Sequence, residues 1–279
     1  MIKKSGVHIL KAFSKFFLFV AMLISFYPIL WLFLSSFKKE SEYTKPMFSL
    51  PEGIYLQNYI NALKKSDVLV LFRNTVIVTF GAIFVVWILS AVTAFALTKM
   101  QWRLSGAFAY YFRLGMFIPG FVLLLPQFML LNSTGLTNTY TGLILIFVAY
   151  NLSMSIYLLN GFYKSLPNEM IEASVIDGCG LVRCFVKIVV PLSINGYVTA
   201  ILLAFVGIWN DLLLSRTFTT SAKKTMIQNG LATFVDYNGQ RDWGSTFAVV
   251  CIAVLPTLVI YLVLNKKVID GLASGALKG

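Results

Sequence analysis

The sequence predicts an all-α polytopic membrane protein with six transmembrane helices. Hydrophobic residues make up 58% of the 279 residues and charged residues only 12%, whereas soluble domains hold about 45–50% and about 25% of these classes. The charged residues lie at the ends of long uncharged runs, and most runs approach the roughly 20 residues that a helix needs to cross a bilayer. This composition excludes a disordered chain, which contains few apolar residues, and a water-soluble enzyme.

The first apolar run, residues 16–37, follows the basic segment 1–15. A secretory signal peptide has a similar basic start, but its apolar core is about half as long, and no small-residue cleavage pattern follows here. We therefore expect an uncleaved first helix. The positive-inside rule weights lysines before the first helix heavily, so residues 1–15 should be cytoplasmic. An even number of spans would place the tail, 266–279, on the same side of the plasma or inner membrane.

The longest uncharged run lies between Arg113 and Lys164 and is too long for one crossing. It divides at the polar segment 132–139, whose Asn, Ser, Thr and Gly residues are typical of a turn. We expect one six-helix transmembrane domain over residues 16–265. Its predicted spans are 16–37, 74–98, 107–131, 140–163, 190–210 and 244–265.

The sequence predicts no catalytic centre, metal site or cofactor in this chain. Its three cysteines form no CxxC motif, and His8 is its single histidine, so no zinc or iron ligand set is available. It lacks a GxxxxGK[ST] phosphate-binding loop, and its spans contain almost no acidic residues of the kind that ion-driven carriers use. Any transport energy should therefore come from another polypeptide. The net charge of +12 does not indicate nucleic-acid binding, because the basic residues edge the apolar runs instead of forming one stripe.

The inner segment 164–191 differs from the other loops because it predicts two short helices. Ser165 is a suitable N-cap for the first helix, and Glu169 and Glu172 follow near the positive end of its dipole. Asp177 and Gly178 should end this helix in a turn. Its narrow apolar stripe consists of Met170, Ala173 and Ile176.

The second predicted helix begins at Leu181 and places Phe185 and Ile188 on one face before Pro191. Nothing in the segment itself can bury its apolar stripe. Two interpretations remain open on physical grounds: the segment rests on lipid or its own bundle, or it enters a groove on a partner protein.

Residues 172–191 closely resemble the EAA signature of permease subunits of ABC importers. Glu172, Ala173 and Ser174 are followed after three residues by Gly178, and after nine more by Ile188, Val189, Val190 and Pro191. The sequence departs from the signature at Ser174, where the third alanine is expected, and at Val190, where leucine is expected. Asp177 and Phe185 further resemble the sugar-importing branch.

Three other segments resemble the same branch. They are the stretch 136–145, which is similar to GLxNTYxGLIL, the triplet Trp209-Asn210-Asp211, and the tail 271–279, which is similar to GLxxGAxKG. The resemblance covers roughly residues 12–279 and indicates the smaller, maltose-permease-like subunit of carbohydrate importers.

The resemblance implies that 165–190 docks into a cleft on a cytoplasmic ATPase and couples its closure to the spans. Glu172 would pair with a basic group there, Gly178 would form the turn, and Ala173 and Ser174 would allow close approach. The residues implied in coupling are Glu169, Glu172, Ala173, Ser174, Asp177, Gly178, Phe185, Ile188 and Pro191. The tail, including Lys278, would reach toward the same interface.

The implied partners are a second permease subunit, two ATPase subunits that hold ATP and Mg²⁺, and an extracytoplasmic solute-binding protein. Outer segments 38–73 and 211–242 would help to seat the binding protein. The leading hypothesis is therefore ATP-driven uptake of a sugar or oligosaccharide. The alternatives are the same architecture importing a non-sugar solute, such as a glycerol phosphodiester or polyol, and a self-contained channel or carrier.

Overall fold

The computed structural model describes residues 2–46, 48–65, 67–100, 102–231 and 242–276. Over these ranges the chain forms helices and no strand. The helices are α1 (Ile2–Ser35), α2 (Gln57–Lys65), α3 (Val68–Thr98), α4 (Ser105–Gly115), α5 (Leu124–Ser133), α6 (Tyr140–Ser165), α7 (Asn168–Ile176), α8 (Leu181–Cys184), α9 (Val190–Leu192), α10 (Ile194–Trp209), α11 (Leu213–Phe218), α12 (Ile227–Leu231) and α13 (Trp243–Ala276). The predicted all-α class is confirmed.

The described residues hold four to six candidate membrane spans. Four stretches are long and apolar enough to cross a membrane as single helices: Phe13–Ser35, Val68–Thr98, Tyr140–Ser165 and Trp243–Lys266. Two further pairs of helices qualify when each bent pair counts as one span. This count is compatible with the six predicted spans, two of which have a different shape from the one expected.

The predicted third span, 107–131, is not one continuous helix. After α4, the helical stretch Gly120–Ser133 runs at 91° to it. Pro119 lies at the break in an extended conformation, with φ −63° and ψ 122°. Proline has no N–H for a helical hydrogen bond, which explains an interruption here. The apolar pattern alone could not reveal it, because both arms are apolar.

The predicted fifth span, 190–210, is also bent. The helical stretch Leu181–Leu192 meets α10 at 75°, and Ser193 lies at the junction with φ −103° and ψ 17°. A π-helical turn covers Phe185–Val189 and ends two residues before Pro191. Because Pro191 cannot donate a backbone hydrogen bond, a regular α-helix cannot continue through this point without a lost bond.

The chain divides into two compact units. Unit 1 comprises Met1–Val68 and Leu231–Val254, and unit 2 comprises Leu69–Gly230 and Leu255–Gly279. In unit 1, Asn58 of α2 donates its side-chain amide to the carbonyls of Ser36, at 2.9 Å, and Lys38, at 2.8 Å. These two bonds fasten α2 to the segment that follows α1.

The core of unit 2 lies where α3, α6 and α10 pack together. Trp209 is buried, meets Phe72 edge-on at 5.5 Å between ring centroids and stacks on Phe205 at 5.3 Å. Phe147 of α6 belongs to the same cluster. Because α6 and α10 flank residues 166–193, this core positions both ends of that segment.

The predicted outer turn, 132–139, is hydrogen-bonded to the end of α11 and to the residues that follow it. Asn138 has φ +58°, its backbone N–H donates to Phe218 O at 2.9 Å, and its Oδ1 accepts from the Ser221 N–H at 3.0 Å. Lys224 Nζ donates to the Asn138 carbonyl at 2.7 Å. Asparagine tolerates this left-handed backbone better than most residues. We call Asn138, Phe218, Thr220, Ser221 and Lys224 the Asn138 cluster.

The start of α6 continues this network. Thr139 is the N-cap, and its Oγ1 accepts from the Gly142 N–H at 3.0 Å. Tyr140 donates its hydroxyl to Asn74 Oδ1 at 2.7 Å, and the Asn74 amide donates to two carbonyls of the segment 223–225. The stretch that resembles GLxNTYxGLIL therefore joins three parts of unit 2.

Candidate functional site in residues 164–191

The first predicted helix of the segment begins differently from expectation. The N-cap assigned to Ser165 was wrong: Ser165 is the last residue of α6, and its Oγ donates to Phe162 O at 2.8 Å. Leu166 is extended, with φ −74° and ψ 129°, as expected for a residue that precedes proline. Pro167 therefore occupies the N-cap position of α7, without a side-chain cap bond.

Lys99, which follows α3, binds the junction between α6 and α7. Its Nζ donates to Leu166 O at 2.7 Å and to Asn168 Oδ1 at 2.8 Å. Burial lowers the pKa of Lys99, and the nearby Glu169 carboxylate partly opposes that shift. Sequence reasoning missed Lys99, because its partners lie 67 and 69 residues away along the chain. A basic residue next to a helix end was its only local signal.

The end of α7 is a left-handed turn at Gly178. The Gly178 N–H donates to Val175 O at 3.0 Å, and the Cys179 N–H donates to Ser174 O at 2.9 Å. These bonds form a Schellman motif, which uses a glycine with positive φ. Gly178 has φ +77°, and a Cβ placed on it would meet no atom within 4 Å. The position requires glycine for its backbone conformation and not for lack of space.

Ser174 lies inside the segment. It is only 6% exposed, and its Oγ lies 2.7 Å from Ile171 O and 3.2 Å from Cys184 Sγ. Ser174 therefore joins α7 to α8. The resemblance implies that Ala173 and Ser174 both allow close approach to a partner. In this structure only Ala173 is exposed and accessible for such a contact.

One face of the segment packs on unit 2. Phe185 meets Phe95 of α3 at 4.9 Å between ring centroids. Ile171 and Val190 pack against the same apolar cluster, which contains the fully buried Val189. This face anchors the segment to α3, α6 and α10.

The opposite face is exposed and apolar. Ile176 is 85% exposed and Val182 74% exposed. The predicted stripe of Met170, Ala173 and Ile176 is exposed along its whole length. Burying a leucine- or isoleucine-sized side chain contributes about 1.5–3 kcal/mol, so this face can stabilise a complex with an apolar groove.

The nine predicted coupling residues fall into two sets. The exposed ones are Glu169, Glu172, Ala173, Asp177, Gly178 and Pro191, and the buried or half-buried ones are Ser174, Phe185 and Ile188. Their roles toward a partner stay predictions. Lys278 lies outside the described residues.

The triplet 209–211 has a structural role in unit 2. Trp209 is part of the core, and Asp211 caps α11 by accepting from the Ser215 N–H at 2.8 Å and the Leu214 N–H at 3.4 Å. Burial raises the pKa of the Asp211 carboxyl, and these hydrogen bonds limit the shift.

Comparison with known proteins agrees with this arrangement. Residues 87–267 match the family model described as binding-protein-dependent transport system inner membrane component. The diacetylchitobiose uptake system permease protein of Streptomyces coelicolor is 31% identical over 96% of this chain and 89% of that protein. The trehalose/maltose transport system permease protein of Thermococcus litoralis is 27% identical over 92% of this chain and 93% of that protein.

A solved structure shares the fold. It belongs to a bacterial ABC transporter involved in the import of the acidic polysaccharide alginate, and it superposes with a TM-score of 0.84 over 93% of this chain and 96% of that one, at 20% identity. The 164–191 segment lies wholly within the range that the family model matches. This chain belongs to the family of binding-protein-dependent transport system inner membrane components.

Proposed function

We propose that this chain is the non-catalytic permease subunit of an ABC importer and forms half of the membrane pathway for a sugar or oligosaccharide. The names of its relatives support a carbohydrate substrate, since they take up diacetylchitobiose and trehalose or maltose. The observation that carries the proposal is the exposed apolar face of α7 and α8 on a segment anchored to the core.

The segment 164–191 would couple this chain to an ATPase. Ile176 and Val182 would enter an apolar groove on that partner, and Glu172 would pair with a basic group at its rim. The second face, held by Phe185 and Lys99, would transmit the partner's movement to α3, α6 and α10. ATP and Mg²⁺ would bind the two ATPase subunits, and a second permease would complete the pathway.

This function requires the segment to lie in the cytoplasm. Lys99 and Leu166, both from predicted inner loops, are hydrogen-bonded to each other, and so are Asn138 and Ser221 from predicted outer loops. These hydrogen bonds support the prediction that the loops alternate between the two sides of the membrane. The basic N-terminus supports the assignment of the segment's side to the cytoplasm. A membrane-impermeant maleimide tests it on Cys179, which is half-buried, whereas Cys184 and Cys251 are buried. Cys179 should react in inside-out vesicles and not in right-side-out ones; the reverse would contradict the orientation.

The first experiment is purification of tagged protein from native membranes in mild detergent, followed by mass spectrometry of what remains bound. We expect a P-loop ATPase and a second multi-span permease, and ATP-dependent uptake of labelled maltose, trehalose or diacetylchitobiose. Recovery of this chain alone, active in liposomes without ATP, would overturn the proposal. Uptake of a glycerol phosphodiester in place of all three sugars would keep the importer and overturn the sugar.

A matched pair of variants separates docking from folding. Ile176→Ser should reduce recovery of the ATPase by at least about tenfold, because it removes an apolar contact of up to about 3 kcal/mol. Ile54→Ser is the control, since Ile54 is 79% exposed on a predicted outer loop. Equal recovery with both variants would contradict docking through this face.

A further inference from the structure

Unit 2 contains a cavity of about 360 Å³ beside the break in the third span. One wall is formed by the break, from Gly115 at the end of α4 to Gly120, and by the start of α5, and the other wall is α6. Small-molecule sites in proteins commonly have volumes of about 300–1,000 Å³. The cavity is therefore large enough for a small solute, and the coupling segment 164–191 does not line it.

The cavity lies near the middle of the membrane. Tyr150 and Ser153, which line it, belong to the central part of the 26-residue helix α6. At a rise of about 1.5 Å per residue, they lie about 15–20 Å from the start of a helix that crosses a hydrocarbon core about 30 Å thick. A solute bound here would be about halfway across the bilayer.

The backbone of the break indicates that this space is hydrated. Residues 115–119 are exposed in this chain, and Pro119 is extended. Non-helical backbone is tolerated at membrane depth only where protein covers it or where it lines a water-filled cavity. The break and the cavity coincide, so the polar backbone groups of the break face a path for water and polar solutes.

Two glycines let the break lie close to α6. A Cβ on Gly115 would lie 2.6 Å from Ser153 Oγ, and a Cβ on Gly120 would collide with the Tyr150 ring. Tyr150 donates its hydroxyl to Gly120 O at 2.7 Å, which holds the ring against the break. The side chains of Tyr150 and Ser153 therefore point from α6 toward the break.

Uncharged polar groups of the lining have unused hydrogen-bonding capacity. Gln127 Oε1 lies 3.1 Å from the Tyr150 hydroxyl, but that hydroxyl has one proton and donates it to Gly120 O at the shorter distance. The Gln127 amide N–H groups and the Ser153 hydroxyl have no hydrogen-bond partner in the part of the chain that the structure describes. Gln127 and Ser153 can therefore donate to a ligand and accept from it.

The residues that line the cavity within the described ranges carry no charge. Arg113 of α4 donates its Nε one turn back along its own helix, and Asp211 caps α11. Neither lines the cavity. Asp211 acts electrostatically on Tyr150 from outside the lining, and its carboxylate would repel an anion. The cavity thus favours a neutral ligand.

We propose that this cavity is the subsite at which this chain binds one neutral glycosyl unit of the transported solute; the inference rests on the proposed function. Gln127 and Ser153 bind sugar hydroxyls, and the Tyr150 ring packs with Met116 and Met154 against the apolar C–H groups of the sugar ring. An anionic phosphodiester would find no cation in the lining. A wholly apolar solute would leave Gln127 and Ser153 unpaired inside the membrane.

Protection of an introduced cysteine tests the occupant. Ser153→Cys places a thiol in the cavity, and N-ethylmaleimide should modify it in the purified complex without ATP. Saturating maltose, trehalose or diacetylchitobiose, whichever the complex imports, should slow this labelling at least about fivefold. Glycerophosphoglycerol at the same concentration should not. Peptide mass spectrometry separates this thiol from Cys179, the internal control, which is half-buried in the coupling segment and whose labelling rate sugar should leave unchanged.

Two substitutions provide a second readout in proteoliposomes. Gln127→Leu removes the amide but leaves the bond from Tyr150 to Gly120, and Ser153→Ala removes the hydroxyl. Each should raise the KM for sugar uptake at least about threefold, because one hydrogen bond to the sugar is lost. Ser133→Ala is the matched control, since the exposed Ser133 hydroxyl bonds back into α5 at Leu130 O, and it should leave KM unchanged.

The outcomes distinguish this subsite from the importer proposal. A complex that imports sugar with ATP, but shows neither sugar protection nor a change in KM, would overturn the subsite and keep the importer. Protection by glycerophosphoglycerol and not by any of the three sugars would overturn the neutral glycosyl unit. A chain that shows sugar protection but retains no ATPase would keep the subsite and overturn the importer.

Discussion

The segment 164–191 and the Asn138 cluster belong to the same unit, and both carry residues of the family resemblance. In the Asn138 cluster and the adjoining start of α6, polar side chains bond inward: Asn138, Thr139 and Tyr140 each bind backbone or side-chain atoms of unit 2. In the segment, the turn at Gly178 satisfies its own backbone, and apolar side chains such as Ile176 remain exposed. Residues of one family pattern can therefore serve folding in one place and leave an apolar surface exposed in another.

The largest effect should come from a substitution at Gly142, at the start of α6. Gly142→Ala would place a Cβ in collision with the Leu136 carbonyl, and overpacking against fixed backbone costs about 1–3 kcal/mol or more. We expect loss of most folded protein, measured by fluorescence-detected size exclusion after heating. Gly106→Ala is the control, because a Cβ at Gly106 meets no atom within 4 Å. Equal melting of both variants would contradict the structural role of Gly142.

A change in the segment should affect function more than stability. Gly178→Val forces a β-branched residue into φ +77°, at a cost of roughly 1–2 kcal/mol in a local turn. Uptake should fall at least about tenfold, while the melting temperature should fall by only a few degrees. Gly178→Asn should retain more transport, because asparagine tolerates this conformation. Equal activity of the two variants would show that the turn geometry is unimportant.

Replacing Lys99, which binds the start of the segment, should have an effect of intermediate size on both local stability and uptake. Lys99→Met removes the bonds to Leu166 and Asn168. The partly buried bond to Leu166 is worth about 1–3 kcal/mol when its acceptor is left unsatisfied, and the exposed bond to Asn168 is worth less. Faster amide hydrogen exchange over 166–176 should accompany partial loss of uptake. Lys187→Met, at an exposed lysine of the same segment, should leave exchange unchanged. Unchanged exchange in Lys99→Met would exclude Lys99 as an anchor.

The smallest effect concerns the pH dependence at Asp211. Burial raises its pKa in the folded protein, so the folded state holds the proton more tightly than the unfolded state. This contribution to stability is present below the unfolded pKa and is lost as pH rises through the raised folded value. Asp211→Asn should remove that dependence and change stability at neutral pH by only about 1 kcal/mol or less. Thermal unfolding between pH 4 and pH 7, roughly the range of a raised carboxyl pKa, provides the measurement.

Sequence reasoning found the helical class, the end of the first short helix at Asp177-Gly178 and the start of the second at Leu181, because hydrophobic run length and the Asp177-Gly178 pair are local signals. It missed the 91° break near Pro119, since proline is also tolerated inside continuous helices such as α1, which contains Pro28. It also assigned the N-cap to Ser165, whose hydroxyl bonds back into α6 instead.

The sequence by itself determined that this chain lies in a membrane and that residues 172–191 follow the pattern of its family. Composition and spacing carry that information, since they depend only on neighbouring residues. Tertiary structure alone decided that Lys99 anchors the segment, that Ser174 faces Cys184, and that Tyr140 binds Asn74. The reason is that each of these contacts depends on how helices pack, and packing brings together atoms whose sequence separation gives no sign of their proximity.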